Sequence, residues 1–171
     1  MIKKNKKVIL LFITTLVLVI LVSCNPSKKY EDEEKASILD YLSQHSDKNF
    51  VLKPSGLYYL DVITGTGDIP RKHDTAYVKY TGMFLDGTVY DSNSEIYGIT
   101  DTLIFPVNEG WKIAGFDEGI TYMRVGGTAE LLIPSSLAYG AAGFYPYIPG
   151  YSPLLLDVQL VKVKLGLGPG K

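Results

Sequence analysis

The sequence has few of the side chains that most catalytic and metal sites require. It contains one cysteine, Cys24, and two histidines among 171 residues. A single cysteine excludes an internal disulfide and any metal site built from several thiolates. The sequence also has no phosphate-binding loop, dinucleotide-binding fingerprint or Gly-x-Ser-x-Gly elbow. No motif pairs a nucleophile with a base, and none has the spacing of a metal or cofactor site, so we expect neither a metal nor a cofactor.

The sequence also lacks a large excess of positive or negative charge. The chain has 17 basic and 18 acidic residues, which gives a formal net charge of −1 at pH 7. A nucleic-acid-binding domain normally has a basic surplus on one face or along one helix. We therefore expect no nucleic-acid partner.

The one long apolar run lies at the N-terminus. Four lysines at positions 3–7 precede an uncharged, mostly apolar run from Val8 to Val22. A bilayer-spanning helix needs about 20 apolar residues, so this run is better suited to the core of a signal peptide. Its last residues, Leu21-Val22-Ser23-Cys24, resemble the lipobox of bacterial lipoproteins. We interpret residues 1–23 as a lipoprotein signal peptide and Cys24 as the lipidation site. A plain signal peptide with an incidental cysteine is the alternative.

Cleavage before Cys24 changes the charge of the chain. It removes four of the 17 basic residues and none of the 18 acidic ones, so the mature protein is mildly acidic. No later segment is long and apolar enough to cross a membrane, which leaves the lipid as the anchor. We expect an exported lipoprotein anchored to the cell envelope, at the outer membrane with a periplasmic or surface face.

Residues 24–48 are interpreted as a lipidated tether and a short helix. Residues 25–35 are polar and charged, as a solvated tether would be. A helix is predicted over residues 32–46, where three residues share one face: Ile38, Leu42 and His45. The acidic cluster at 31–34 suits a helix N-terminus, and it also resembles the surface-export signal of some Gram-negative lipoproteins.

Residues 49–165 have the pattern of one α+β domain with an antiparallel sheet. Glycine, proline and aspartate separate short apolar runs that predict these strands: Leu57–Ile63, Ala76–Thr81, Thr88–Asp91, Leu103–Val107, Thr128–Ile133 and Leu154–Val163. The alternation in the last run slips near Leu160, which indicates a bulge. One helix is predicted from the spacing of Ile113, Phe116, Ile120 and Met123. Residues 166–171 are expected to form a flexible tail.

Tyrosine is the abundant residue of this domain, with nine of the 13 tyrosines between Tyr77 and Tyr151. The segment 144–151 is rich in aromatic residues and bounded by glycine and proline, so it is predicted to be a loop. Loops lie on the surface, and their rings cannot all belong to the core. An aromatic concavity without a nucleophile predicts a site for apolar ligands. Glycan binding by Tyr145, Tyr147 and Tyr151 is an alternative.

Several blocks of residues resemble the FKBP-type peptidyl-prolyl isomerases in their order and spacing. The resemblance extends roughly from Ser55 to Lys164 and rests on these segments: Tyr80–Ser92, Gly115–Gly119, Ile133–Gly140, Ile148–Pro149 and Leu156–Val158. It implies a curved antiparallel sheet wrapped around one short α-helix, to which the helix predicted over residues 32–46 is added at the N-terminus. It also implies rotation of X–Pro bonds in proline-containing unfolded or exported polypeptides. A non-catalytic proline-peptide binding or chaperone module is the alternative.

The resemblance also implies roles for individual residues. The catalytic residues would be Tyr80, Asp91, Phe116 and Tyr139. The substrate-binding residues would be Tyr90, Leu103, Phe105, Ile113, Phe144, Ile148 and Leu156. This sequence departs from the usual pattern at four positions, where most or many relatives have other residues: Leu103, Lys112, Phe116 and Phe144. These departures leave the implied pocket apolar and aromatic, so they bear on rate and specificity more than on fold.

Overall fold

A computed structural model of the chain describes residues 26–94 and 101–166. The predicted signal peptide and the lipidation site Cys24 lie outside the described residues. The chain divides into two compact units, one ending at Asp32 and the other running from Glu33 onward. Within the described ranges, none of the helices combines the length and the apolar character that crossing a membrane requires.

The first helix, α1, spans Pro26–Gln44. It begins six residues before the predicted helix, so residues 26–35 of the segment expected to be a solvated tether are helical. Proline is favoured at the first position of a helix, and lysine and glutamate have high helix propensity. The polar composition of this segment is therefore compatible with a helix.

The second half of α1 packs on the sheet. Ile38 and Tyr41 are buried together with Leu132 and Leu155. Leu42 is only partly buried there, so Tyr41 replaces it as the second anchor. His45 lies just past the end of the helix, where its ring stacks on Tyr41 with 4.1 Å between the ring centroids.

Seven strands of the described residues form one antiparallel sheet in the order β1-β2-β6-β7-β3-β4, with β5 also paired to β3. Their bounds are β1 Val51–Leu52, β2 Tyr58–Ile63, β3 Thr75–Met83, β4 Val89–Ser92, β5 Leu103–Pro106, β6 Thr128–Ile133 and β7 Leu154–Lys164. The six predicted strands are confirmed to within two residues at each end. β1 was not predicted, because its two residues are both exposed and show no alternation of apolar and polar side chains.

The predicted bulge in the last strand is confirmed. Tyr77 pairs with Lys162 while the next residue, Val78, pairs with Leu160, so Val161 is the extra residue. Of the predicted flexible tail, only Gly166 is described. Its N–H donates a hydrogen bond of 2.8 Å to Asp74, so it is not free.

The second helix, α2, spans Ala114–Ile120 and packs on the inner face of the sheet, opposite the face covered by α1. Gly115 and Gly119 allow this close approach, because a Cβ at either position would clash with Ile133 or Leu131 of β6. A sheet wrapped around one short helix, with a further helix at the N-terminus, confirms the predicted α+β architecture.

Candidate functional site

A cavity of about 510 Å³ opens between α2 and the strands of the inner face. Eight residues predicted for the site line it: Tyr80, Tyr90, Asp91, Leu103, Ile113, Phe116, Tyr139 and Leu156. They come from β3, β4, β5, β7, α2 with its preceding residue, and the loop after β6. The fold thus brings together residues that are distributed over 77 positions of the sequence.

Phe116 forms the floor of the cavity. Its side chain is almost fully buried, and its ring centroid lies 5.6 Å from those of Tyr80 and Phe105. Phe105 was predicted to contact substrate, but it is 1% exposed and is not among the residues that line this cavity. It packs behind Phe116, because β5 turns this side chain into the core. Phe105 therefore supports the floor of this cavity from behind Phe116.

Tyr80 and Asp91 meet at the edge of the cavity. The Tyr80 hydroxyl donates a hydrogen bond of 2.5 Å to Oδ2 of Asp91. Asn93 fixes the pairing of the two strands, since its Oδ1 accepts the Tyr80 N–H and its Nδ2 donates to the Val78 carbonyl. Burial raises the pKa of Tyr80, and the hydrogen bond to Asp91 raises that pKa further. Tyr80 is therefore a neutral donor near pH 7.

Ile113 and Tyr139 present polar hydrogens to the cavity. Ile113 directly precedes α2, and its carbonyl accepts the Phe116 and Asp117 N–H groups. Its own N–H has no acceptor within the described ranges, as is usual for donors at the start of a helix. Burial raises the pKa of Tyr139, and the charge of Asp91 adds to this effect. The Tyr139 hydroxyl is likewise without a hydrogen-bond partner in the part of the chain that the structure describes.

A second cavity of about 290 Å³ adjoins the first and shares Tyr90, Asp91 and Tyr139 with it. Its other lining residues are Phe144, Tyr147 and Ile148. The rings of Tyr139 and Phe144 stack with centroids 5.5 Å apart, and those of Phe144 and Tyr147 follow at 6.1 Å. The resemblance implied one pocket for all the site residues, whereas the structure places Phe144 and Ile148 in this second cavity.

Three large side chains at the two cavities were not among the site residues predicted from the sequence. Trp111 and Lys112 line the larger cavity, and Tyr147 lines the smaller one. Trp111 is 71% exposed, and the Lys112 Nζ lies 5.9 Å from the centroid of the Phe105 ring. Their position immediately before Ile113 was the available signal, since neighbours of a predicted site residue often reach the same rim.

Comparison with known proteins identifies relatives of this chain. A family model described as FKBP-type peptidyl-prolyl cis-trans isomerase matches residues 67–161, more than half of the chain. The 22 kDa FKBP-type peptidyl-prolyl cis-trans isomerase of Escherichia coli K12 is 39% identical over 124 residues, covering 72% of this chain and 58% of that protein. The outer membrane protein MIP of Legionella longbeachae is 35% identical over 137 residues, covering 80% of this chain and 57% of that protein.

Solved structures agree with the sequence matches. The crystal structure of FkpA from Escherichia coli superposes with a TM-score of 0.65 at 30% identity, covering 90% of this chain and 71% of that one. A peptidyl-prolyl isomerase structure from Pseudomonas syringae has a TM-score of 0.69 at 23% identity, covering 84% of this chain and 99% of that one, and supports the fold alone. The chain spans less than two thirds of the length of the two curated relatives named above. From the match over residues 67–161, the chain belongs to the FKBP-type peptidyl-prolyl cis-trans isomerase family.

Proposed function

We propose that the protein is a peptidyl-prolyl cis-trans isomerase that assists the folding of exported polypeptides. One observation carries this proposal: the larger cavity combines an aromatic floor, Phe116, with two hydrogen-bond donors. These donors are the Ile113 N–H and the Tyr139 hydroxyl, and neither has an acceptor among the described residues. Family membership supports the same function. The cavity offers an apolar place for a prolyl ring beside groups that can hold the carbonyls of a peptide.

Amide rotation suits this set of residues. The barrier of about 18–20 kcal/mol arises from lost resonance, so the reaction needs neither a nucleophile nor a proton transfer. A planar amide is more charge-separated than a twisted one, and an apolar cavity therefore favours the twisted form. Each tenfold gain in rate requires about 1.4 kcal/mol of such preference.

The proposed roles follow the positions of the side chains. Phe116, Tyr80 and Leu156 enclose the prolyl ring, with Ile148 at the adjoining cavity. The Ile113 N–H and the Tyr139 hydroxyl bind substrate carbonyls, so that one side of the rotating bond is fixed while the other turns. Asp91 orients the Tyr80 hydroxyl through their hydrogen bond.

The direct test is the cis-to-trans rate of a series of short Xaa-Pro-Phe peptides with and without the purified protein. We expect a rate well above that of the uncatalysed reaction, which takes roughly tens to hundreds of seconds. If the protein is folded and still binds the peptides but does not raise the rate above the uncatalysed one, the isomerase function is contradicted and a binding module is favoured. Varying Xaa in the same series reports the residue preferred before proline.

We further propose that residues 1–23 are a lipoprotein signal peptide and that Cys24 carries the lipid, followed by α1 and an isomerase domain at residues 49–165. The apolar run and its Leu-Val-Ser-Cys ending support this, and one relative is named an outer membrane protein. Expression of the full chain in a bacterium fed labelled palmitate should label the wild type but not Cys24→Ala. Equal labelling of both proteins would refute this assignment.

A further inference from the structure

The loop segment that carries Tyr139 is built on one residue, Ser135. The Ser135 carbonyl accepts the N–H groups of Ala138 and Gly140, each at 2.8 Å. These two residues are the immediate neighbours of Tyr139 in the chain. The position of the Tyr139 ring at the cavity therefore depends on where Ser135 is held.

Ser135 is held by a residue of α1. One carboxylate oxygen of Glu34 accepts the Ser135 N–H at 2.5 Å, and the other accepts the Ser135 hydroxyl at 2.6 Å. Ser135 is 4% exposed. It begins a short 3₁₀ helix, Ser135–Leu137, whose preceding residue Pro134 provides no side-chain cap. Glu34 supplies that cap from another element, and hydrogen bonds to an ionised acceptor are about twice as strong as neutral ones.

The helix that carries Glu34 is itself fixed on the sheet. Ile38, one turn after Glu34, is buried against the outer face together with Leu132 of β6. Leu132 lies three residues before Ser135 in the chain, so the helix contact and the carboxylate contact hold adjoining parts of one segment. A continuous set of contacts thus leads from α1 through Glu34 and Ser135 to Tyr139.

We propose that Glu34 is a positioning residue for Tyr139, which makes α1 part of the apparatus that binds and turns the substrate. The inference rests on the proposed isomerase function for its kinetic consequence. It gives the N-terminal helix a role beyond spacing the domain from its anchor. Glu34 is not among the residues that line either cavity, and its effect on Tyr139 passes through the turn that Ser135 organises.

Three variants of α1 test the proposal in the full chain. Glu34→Ala removes both hydrogen bonds, and we expect kcat/KM to fall about fivefold or more because the Tyr139 hydroxyl loses its fixed position. Glu34→Gln should stay within about twofold of the wild type, since its amide oxygen can accept the Ser135 N–H and its nitrogen can donate to the hydroxyl. Glu31→Ala, on the same helix, is the matched control and should change nothing. Equal kinetics for Glu34→Ala and wild type would overturn the proposal.

A double-mutant cycle separates positioning from general stability. In a Tyr139→Phe background, Glu34→Ala should have little further effect, because the hydroxyl that it positions is already gone. The same fold loss in both backgrounds would show that Glu34 acts only on stability. If Glu34→Ala fails to fold, Ser135→Ala replaces it in the cycle, since it removes the hydroxyl bond and keeps the bond from Glu34 to the backbone N–H.

A readout without turnover distinguishes failure of this inference from failure of the proposed function. The NMR signals of the Tyr139 ring, assigned with Tyr139→Phe in protein carrying labelled tyrosine, should shift in Glu34→Ala and stay near the wild-type position in Glu34→Gln. This result is expected even if the wild type has no isomerase activity. Unchanged ring signals in Glu34→Ala would overturn the inference.

Discussion

The hydroxyl of Tyr80 on β3 and the carboxylate of Asp91 on β4 form a hydrogen bond of 2.5 Å at the edge of the larger cavity. Asp91 is exposed, whereas the Tyr80 ring is half-buried and packs against Phe116. The polar pair therefore separates the apolar floor from solvent. The tyrosine belongs to the wall of the cavity, and the carboxylate sets the direction of its hydroxyl.

If Asp91 acts through Tyr80, the two substitutions should not be additive. We expect Tyr80→Phe and Asp91→Leu each to lower kcat/KM by about three- to tenfold, and the double variant to be no worse than the poorer single one. Loss of this partly solvated bond should change the free energy of unfolding by about 1.5 kcal/mol or less. Additive kinetic losses would show that Asp91 has a role independent of Tyr80.

The rate should depend little on pH across the neutral range. Burial is the main cause of the raised pKa of Tyr80, Tyr90 and Tyr139. All three hydroxyls therefore stay protonated beyond the ordinary tyrosine value of about 10. We expect kcat/KM to be flat from about pH 6 to 9. A clear fall within that interval would mean that a group of lower pKa takes part in the reaction.

Tyr59 offers a stability test away from the cavities. Its buried hydroxyl has no hydrogen-bond partner within residues 26–94 and 101–166, and burial, followed by the charge of Asp61, raises its pKa to about 12. We expect Tyr59→Phe to stabilise the protein by about 1 kcal/mol at pH 7, because an unpaired buried hydroxyl is costly. The Lys53 ammonium, 4.9 Å from the ring centroid, keeps its aromatic partner in this variant.

The titration of Tyr59 should also make the stability of the protein depend on pH in the alkaline range. Because the pKa of Tyr59 is raised in the folded state, its titration costs no stability below the unfolded value of about 10, and stability is lost as the pH rises from there through about 12. Tyr59→Phe should therefore lose less stability than the wild type between these pH values. Urea unfolding at pH 7 and at about pH 11 measures both effects. A less stable variant at both pH values would contradict the account of this hydroxyl.

Gly82 controls the ring of Tyr90 from outside the cavities. A Cβ at Gly82 would overlap the outer end of the Tyr90 ring, which is the movable end of a side chain. We expect Gly82→Ala to push this ring into the space it borders and lower kcat/KM by about three- to tenfold, at a cost in stability of about 1–3 kcal/mol. In the background Tyr90→Leu, which shortens the side chain, the extra methyl should have little effect. Unchanged kinetics for Gly82→Ala alone would refute this role.

The strands could be predicted from the sequence because alternation records burial directly. Thr128–Ile133 was predicted with the bounds that the structure gives, since its inward residues are apolar and it lies between turn residues. β1 escaped prediction because Val51 and Leu52 are both exposed and form a strand only through pairing with β2. The early start of α1 was missed because composition alone does not separate a charged helix from a solvated tether.

The site could be predicted in outline, through the resemblance, but not in its supporting contacts. Phe105 was assigned to substrate binding through the resemblance, which does not tell on which side of Phe116 this ring lies. The hydrogen bonds between Glu34 and Ser135 join residues 101 positions apart, and no local sequence pattern indicates them. Such contacts depend on how α1 lies on the outer face, which only the folded chain defines.

The most direct test of the proposed site is the effect of Phe116→Ala on the catalysed cis-to-trans rate. The substitution removes the aromatic floor and is expected to lower stability by about 3–5 kcal/mol, so an unfolding curve must first show that the variant is folded. Tyr30→Ala on α1, at a residue that lines neither cavity, serves as the aromatic control. A folded Phe116→Ala variant whose rate falls to the uncatalysed value, beside an unchanged control, is the result predicted. A folded variant that keeps the wild-type rate would contradict the assignment of this cavity as the isomerase site.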